Sequence, residues 1–172
     1  MNFELLENQV IIMFNIFKKT KQFTSYLELH KAIEQKMSKL AAEDVLRTLR
    51  ISNMQDIINN QVNFHCYSDA TLKKAAAQMD RALSIMTKAT ATLIKNHKNG
   101  QTVAFEDKTI YDGITNAKSL VPERTINSEM SRESSIWAIT DNAKTLMSLE
   151  RSMLVELTSY AKAENQAVKV YG

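Results

Sequence analysis

A chain of 172 residues with 44% hydrophobic and 24% charged positions is long enough to bury a core of its own, and its balance is that expected of a folded soluble protein. Three glycines and one proline exclude a fold made of many tight turns, and the single cysteine, Cys66, excludes an internal disulfide or a multi-cysteine zinc site. The formal net charge of +3 is too mild to mark a dedicated nucleic-acid binder or an acidic tail.

The N-terminal stretch MNFELLENQ is acidic where a secretory signal is basic, so no such signal is expected. No run reaches the roughly 18 apolar residues of a membrane-spanning helix. The expected location is therefore cytoplasmic.

The first predicted helix covers about Phe3 to Lys18. Phe3, Leu6, Val10, Met13 and Phe17 share one face, and Phe14 with its isoleucine neighbours fills the others. A helix apolar on all sides is buried in a core, in an interface or at a membrane surface. The missing polar face argues against the membrane. Phe3, Leu6, Val10, Met13, Phe14 and Phe17 are thus read as core or as a partner or homo-oligomer surface.

A second helix is predicted over Thr24 to Leu40, with Phe23, Tyr26, His30, Ile33, Met37 and Leu40 on its stripe. A short one follows over Ala42 to Arg50. Ser52 and Gln55 then form a capping-box pattern before Met54, Ile57 and Ile58. HCYSD interrupts the pattern. Ser68 or Asp69 opens a long helix that ends at Asn99-Gly100, a favoured left-handed stop. Its seam is Leu72, Ala76, Met79, Leu83, Met86, Thr90 and Leu93, about three heptads of coiled-coil-like spacing.

The segment at about 99–127 carries the only proline and two of the glycines, and reads as a loop-rich insertion. A short helix starting at Asp107 or Thr109 and a brief extended piece at TVAF are expected in it. The last helix is predicted from Ser128 or Ser131 to about Asn165, with a frayed tail beyond. Its seam is Ile136, Ile139, Ala143, Leu146, Met153, Leu157 and Tyr160.

The predicted fold is all-α: one helical domain over 1–172, with two long antiparallel helices at about 68–98 and 128–165 and three or four shorter N-terminal helices.

Chemistry is sparse. The histidines are His30, His65 and His97, and no metalloprotease, nucleophile-elbow, phosphate-loop or dinucleotide motif occurs. Cys66 beside His65 reads as a plain cysteine, because adjacency in a loop is not nucleophile–base geometry. His65, Cys66 and Asp69 are too few for zinc. No catalytic, cofactor-binding or metal-binding residues are assigned, and His30 reads as a core histidine.

Two features stand out. Glu150 occupies the apolar seam of the last helix, where a charge must be paired, sit at a groove or hold a proton. It reads first as a buried polar residue fixing register and second as a partner contact. Lys74, Arg81, Lys88 and Lys95 recur every seventh position opposite the seam. That row reads first as a solvated face, then as a contact for an acidic protein surface, then as a phosphate contact. Against the last stands the lack of aromatics between Ser68 and Lys98.

The functional expectation is a non-enzymatic helical interaction module: an adaptor, inhibitor or assembly subunit with a protein partner, self-associating through its N-terminal helix. The alternative is a nucleic-acid-associated protein using the basic row.

Overall fold

A computed structural model describes residues 22–23, 26–98, 105–122 and 129–171, with backbone alone at 22–23, 28, 96–98, 105–113 and 166–171. The predicted N-terminal helix, with Phe3, Leu6, Val10, Met13, Phe14 and Phe17, lies outside the described residues.

Among the described residues six α-helices follow in chain order: α1 Tyr26–Ala41, α2 Glu43–Leu49, α3 Gln55–Ile58, α4 Asp69–Lys98, α5 Asp107–Leu120 and α6 Arg132–Tyr171. The fold is an all-α bundle in which the two long helices α4 and α6 pack extensively on each other. A short 3-10 turn at Phe64–Cys66 precedes α4. Gln22–Phe23 and Phe105–Glu106 form a two-residue antiparallel bridge, Gln22 opposite Glu106 and Phe23 opposite Phe105.

Local chemistry sets the boundaries. Ser68 Oγ accepts from the Thr71 amide at 3.2 Å and so caps α4. Ser131 Oγ accepts from the Ser134 amide at 3.1 Å and does the same for α6. At α3 the acceptor is Asn53 Oδ1, 2.9 Å from the Gln55 amide, one residue later than the capping box expected at Ser52. Helix α2 stops at Arg50, which takes a left-handed conformation (φ 54°). Helix α6 continues through Tyr171, past the end expected near 165.

Most seam positions assemble as the spacing requires, while Leu83, Leu93, Ile136 and Tyr160 are half-buried at the seam's edge. Leu72, Ala76, Met79 and Met86 of α4 and Ile139, Ala143, Leu146, Met153 and Leu157 of α6 are buried. Each large apolar side chain removed from water contributes about 1.5–3 kcal/mol. Ala75, Ala82 and Ala89 form a second buried row on α4, so this helix is covered on more than its seam.

The two long helices run parallel, not antiparallel. Arg132, the first residue of α6, donates from Nη1 to Asp69 Oδ1 at 2.8 Å, and Asp69 is the first residue of α4. An antiparallel pair would hold these residues apart by the length of α4, about 45 Å at 1.5 Å per residue. Helix α5 makes the parallel pair feasible by returning the chain along α4: Arg81 reaches the carbonyls of Lys118 and Val121. Helix α1 runs against α6, with the Tyr26 amide donating to Glu164 Oε2 at 3.0 Å and the Tyr26 and Tyr160 rings edge to face, 5.5 Å apart. Glu164 thus supplies negative charge to the α1 N-terminus.

Arg132 also donates to the carbonyls of Tyr67 and Phe64, at 2.9 and 2.8 Å. One guanidinium therefore gathers the HCYSD corner, the α4 N-terminus and the α6 N-terminus. The Tyr67 hydroxyl ties the same corner to the carbonyl of Leu49. Replacing Arg132 with Met is expected to cost about 2–3 kcal/mol of unfolding free energy in denaturant titration. Arg132→Lys should recover less than half of that, because a point charge cannot span three acceptors.

Candidate functional site

The structure resolves the basic row into unlike members. Lys74, Lys88 and Lys95 are exposed and Arg81 is half-buried. Arg81 Nη2 donates to the carbonyl oxygens of Lys118, at 2.9 Å, and Val121, at 3.4 Å. Lys88 Nζ lies 3.5 Å from the Leu120 oxygen. The last carbonyls of a helix have no intrahelical partner and carry its negative pole. Two of the four cations are therefore turned to the C-terminal end of α5, and Lys118 itself pairs with Glu43 at 3.6 Å. Lys74 and Lys95 remain on the solvent side.

The histidine and cysteine positions stand apart. His65 and Cys66 are exposed, and His30 is half-buried with Nδ1 3.9 Å from Glu34 Oε2. Among the described residues no three of His, Cys, Asp and Glu are placed to hold a metal ion. Among the described residues no helix is long and apolar enough to cross a membrane.

Glu150 is the most unusual group in the fold. The α6 seam carries it inward, and it is 4% exposed. Helix α1 crosses there and presents Ser38, which hydrogen-bonds to the carboxylate and favours its charge. Glu150 Oε2 is buried and has no hydrogen-bond partner. Burial is the main cause that raises the Glu150 carboxyl above the ordinary carboxylate range, and the nearby Glu34 carboxylate adds to it.

Beside Glu150 opens a cleft of about 260 Å³. Helix α1 lines it with Glu34, Gln35, Ser38 and Lys39, and α6 with Met147 and Glu150. The turn ahead of α3 contributes Ser52, Asn53 and Met54, and Leu46 of α2 closes one wall. The spacing i, i+1, i+4, i+5 on α1 puts its four polar residues on one side of that helix. Periodicity identified the seam position of Glu150, but the residues around it come from three other segments. Their spacing along the chain gave no sign that they meet.

A second feature also escaped the sequence reading. Trp137, on the first half of α6, is 68% exposed. Its signal was present: it follows the seam residue Ile136 and so falls off the seam, on a stretch flanked by Ser134 and Asp141.

Tyr160, at the other end of α6, is pushed up to about 12 by burial and by its hydrogen bond to Glu156. That value keeps its hydroxyl protonated and donating at any physiological pH.

Arg81→Gln is expected to lower stability by about 1–2 kcal/mol, since it leaves α5 carbonyls without their charged donor. Lys74→Gln and Lys95→Gln should stay within about 0.5 kcal/mol. Thermal melts of the three variants distinguish a structural member of the row from the solvated ones. For Glu150, the folded chain keeps its proton to a higher pH than the unfolded chain does. Stability therefore falls as pH rises from the ordinary carboxylate range to the raised value, then levels off. Glu150→Gln lacks this slope, so its stability advantage over the wild type should grow across that window and persist above it in pH-dependent urea titrations.

Comparison of the chain with protein-family models, with curated proteins and with solved structures finds no match, so no family, relative or structural neighbour speaks for either feature.

Proposed function

We propose that this chain is a non-enzymatic helical interaction module, an adaptor, inhibitor or assembly subunit that presents a face of α6 to a protein partner. The observation that carries this reading is Trp137, 68% exposed on a helix whose opposite side is locked in the core. Tryptophan combines a large apolar surface with one N–H donor, and it is enriched among the few residues that dominate protein–protein affinity. Its helical neighbours Glu133, Ser134, Asp141 and Lys144 are exposed, which gives the polar rim that such an anchor needs. Ser135 and Ile139 are fully buried beneath, so the indole stands on a rigid support. A rigid anchor binds with less ordering cost than a mobile one.

The nucleic-acid reading has weaker support, because Arg81 and Lys88 already serve backbone carbonyls. A cytoplasmic location is in keeping with the single free cysteine.

Capture from the native cell with wild-type chain and with Trp137→Ala tests the reading. Trp137→Ala should melt within about 0.5 kcal/mol of the wild type, as a surface change does. A partner held by the wild type should bind the variant at least about tenfold more weakly. A partner that binds both chains equally refutes the assignment of this face.

A further inference from the structure

The cleft at Glu150 joins three observations: a buried carboxyl oxygen without a donor, a polar wall, and an excess of negative charge. Glu150 is 4% exposed, and its Oε2 finds no hydrogen bond within the fold. Ser38 serves the carboxylate, but no described group completes its second oxygen. A buried acceptor left without a donor is costly, so a donor arriving from outside gains what the fold forgoes.

The charges facing the space are few. Helix α6 contributes Glu150, and α1 contributes Glu34 and Lys39, with His30 3.9 Å behind Glu34. The turn before α3 and Leu46 of α2 contribute no charge. With both carboxyls ionised, two carboxylates against one ammonium leave one negative charge; where Glu150 still holds its proton, a bound monocation takes that proton's place. Lys39 is exposed and can turn its ammonium to solvent.

We infer that the cleft between α1, α6 and the turn before α3 is a binding site for a guanidinium group, with the carboxylates of Glu150 and Glu34 as its counter-charges and Ser38, Gln35 and Asn53 as polar neighbours. Four considerations select this cation. A guanidinium carries five donors in a planar fork and can address two carboxylates at once, which a compact ammonium does less well. It is weakly hydrated and flat, so its faces suit the walls that Met54 and Met147 supply. The volume of about 260 Å³ falls just below the roughly 300–1,000 Å³ typical of drug-sized ligands, which fits a small head group. A hard divalent ion favours several carboxylate ligands, and among the described residues no three of His, Cys, Asp and Glu are placed to hold one. The raised proton affinity of Glu150 fits the same picture. A bound cation favours the ionised carboxylate, so binding releases a proton and tightens as pH rises.

The site is separate from the Trp137 face and stands or falls without it. A free small guanidinium compound and an arginine side chain of a protein share the chemistry, and the probes distinguish them.

The test is calorimetric titration of the intact chain with methylguanidinium, with a blocked Gly-Arg-Gly tripeptide and with methylammonium. Saturable binding of methylguanidinium is expected, with methylammonium at least several-fold weaker. Glu150→Gln should weaken it by about tenfold or more, the loss of a charged hydrogen-bond pair. Glu34→Gln should weaken it less, and Lys74→Gln on the solvent side of α4 should leave it unchanged. Titration in two buffers of different ionisation enthalpy near the Glu150 value should register proton release, a readout that needs no variant. A tripeptide tighter than methylguanidinium assigns the site to an arginine side chain, and the reverse order assigns it to a free ligand. No saturable binding, equal binding by Glu150→Gln, equal binding of methylammonium, or no proton release overturns the inference.

Discussion

The parallel pairing of α4 and α6 is the constraint on which the rest of the bundle depends. Antiparallel helices join through a short turn, whereas parallel ones need a connection that travels back the full length of the first. Helix α4 has 30 residues, so the return is about 45 Å. The segment between α4 and α6 makes that journey, and α5 forms its rigid part. What resembles a loop-rich insertion is therefore obligatory. Without it the α6 seam could not come into register with that of α4, and Ile139, Ala143 and Leu146 would have no wall to pack on.

This constraint also organises the polar contacts. A returning helix presents its negative pole to the middle of α4, and Arg81 and Lys88 meet it there. A following helix must begin beside the start of α4, and Arg132 secures that junction with three acceptors. The cations of this surface thus answer backbone geometry before they answer any external ligand. For Arg81 and Lys88 the positive sign has a cause inside the fold: each faces carbonyl oxygens at the C-terminal end of α5.

Much of the architecture was legible from the sequence. The four-and-three spacing of Leu72, Ala76, Met79 and Met86, and of Ile139, Ala143, Leu146 and Met153, specified both long helices and their buried sides, because helical periodicity acts residue by residue. The caps were legible to within a choice of two residues, Ser68 or Asp69 and Ser128 or Ser131, and the hydrogen bonds of Ser68 and Ser131 decide it. Direction was not. A seam is unchanged when its partner is reversed, and only contacts distant in the chain, such as Arg132 with Asp69, distinguish the two. The cleft was half legible: Glu150 was conspicuous as a charge in an apolar row, whereas Glu34, Ser38 and Asn53 sit on ordinary solvent-facing patterns. Trp137 lies just beside the buried stripe, and helical periodicity alone does not separate an exposed anchor from a solvated residue there.

The grip on α5 has a further consequence for how this chain can vary. Arg81 and Lys88 bind main-chain oxygens, which every residue type supplies. A substitution at the exposed Leu120 leaves its acceptor in place, so the clasp itself constrains the path of the returning segment and not its composition. The burden falls on one side alone. The α4 cations must be kept, while the surface of the helix they hold is free to drift toward new uses without loosening the frame.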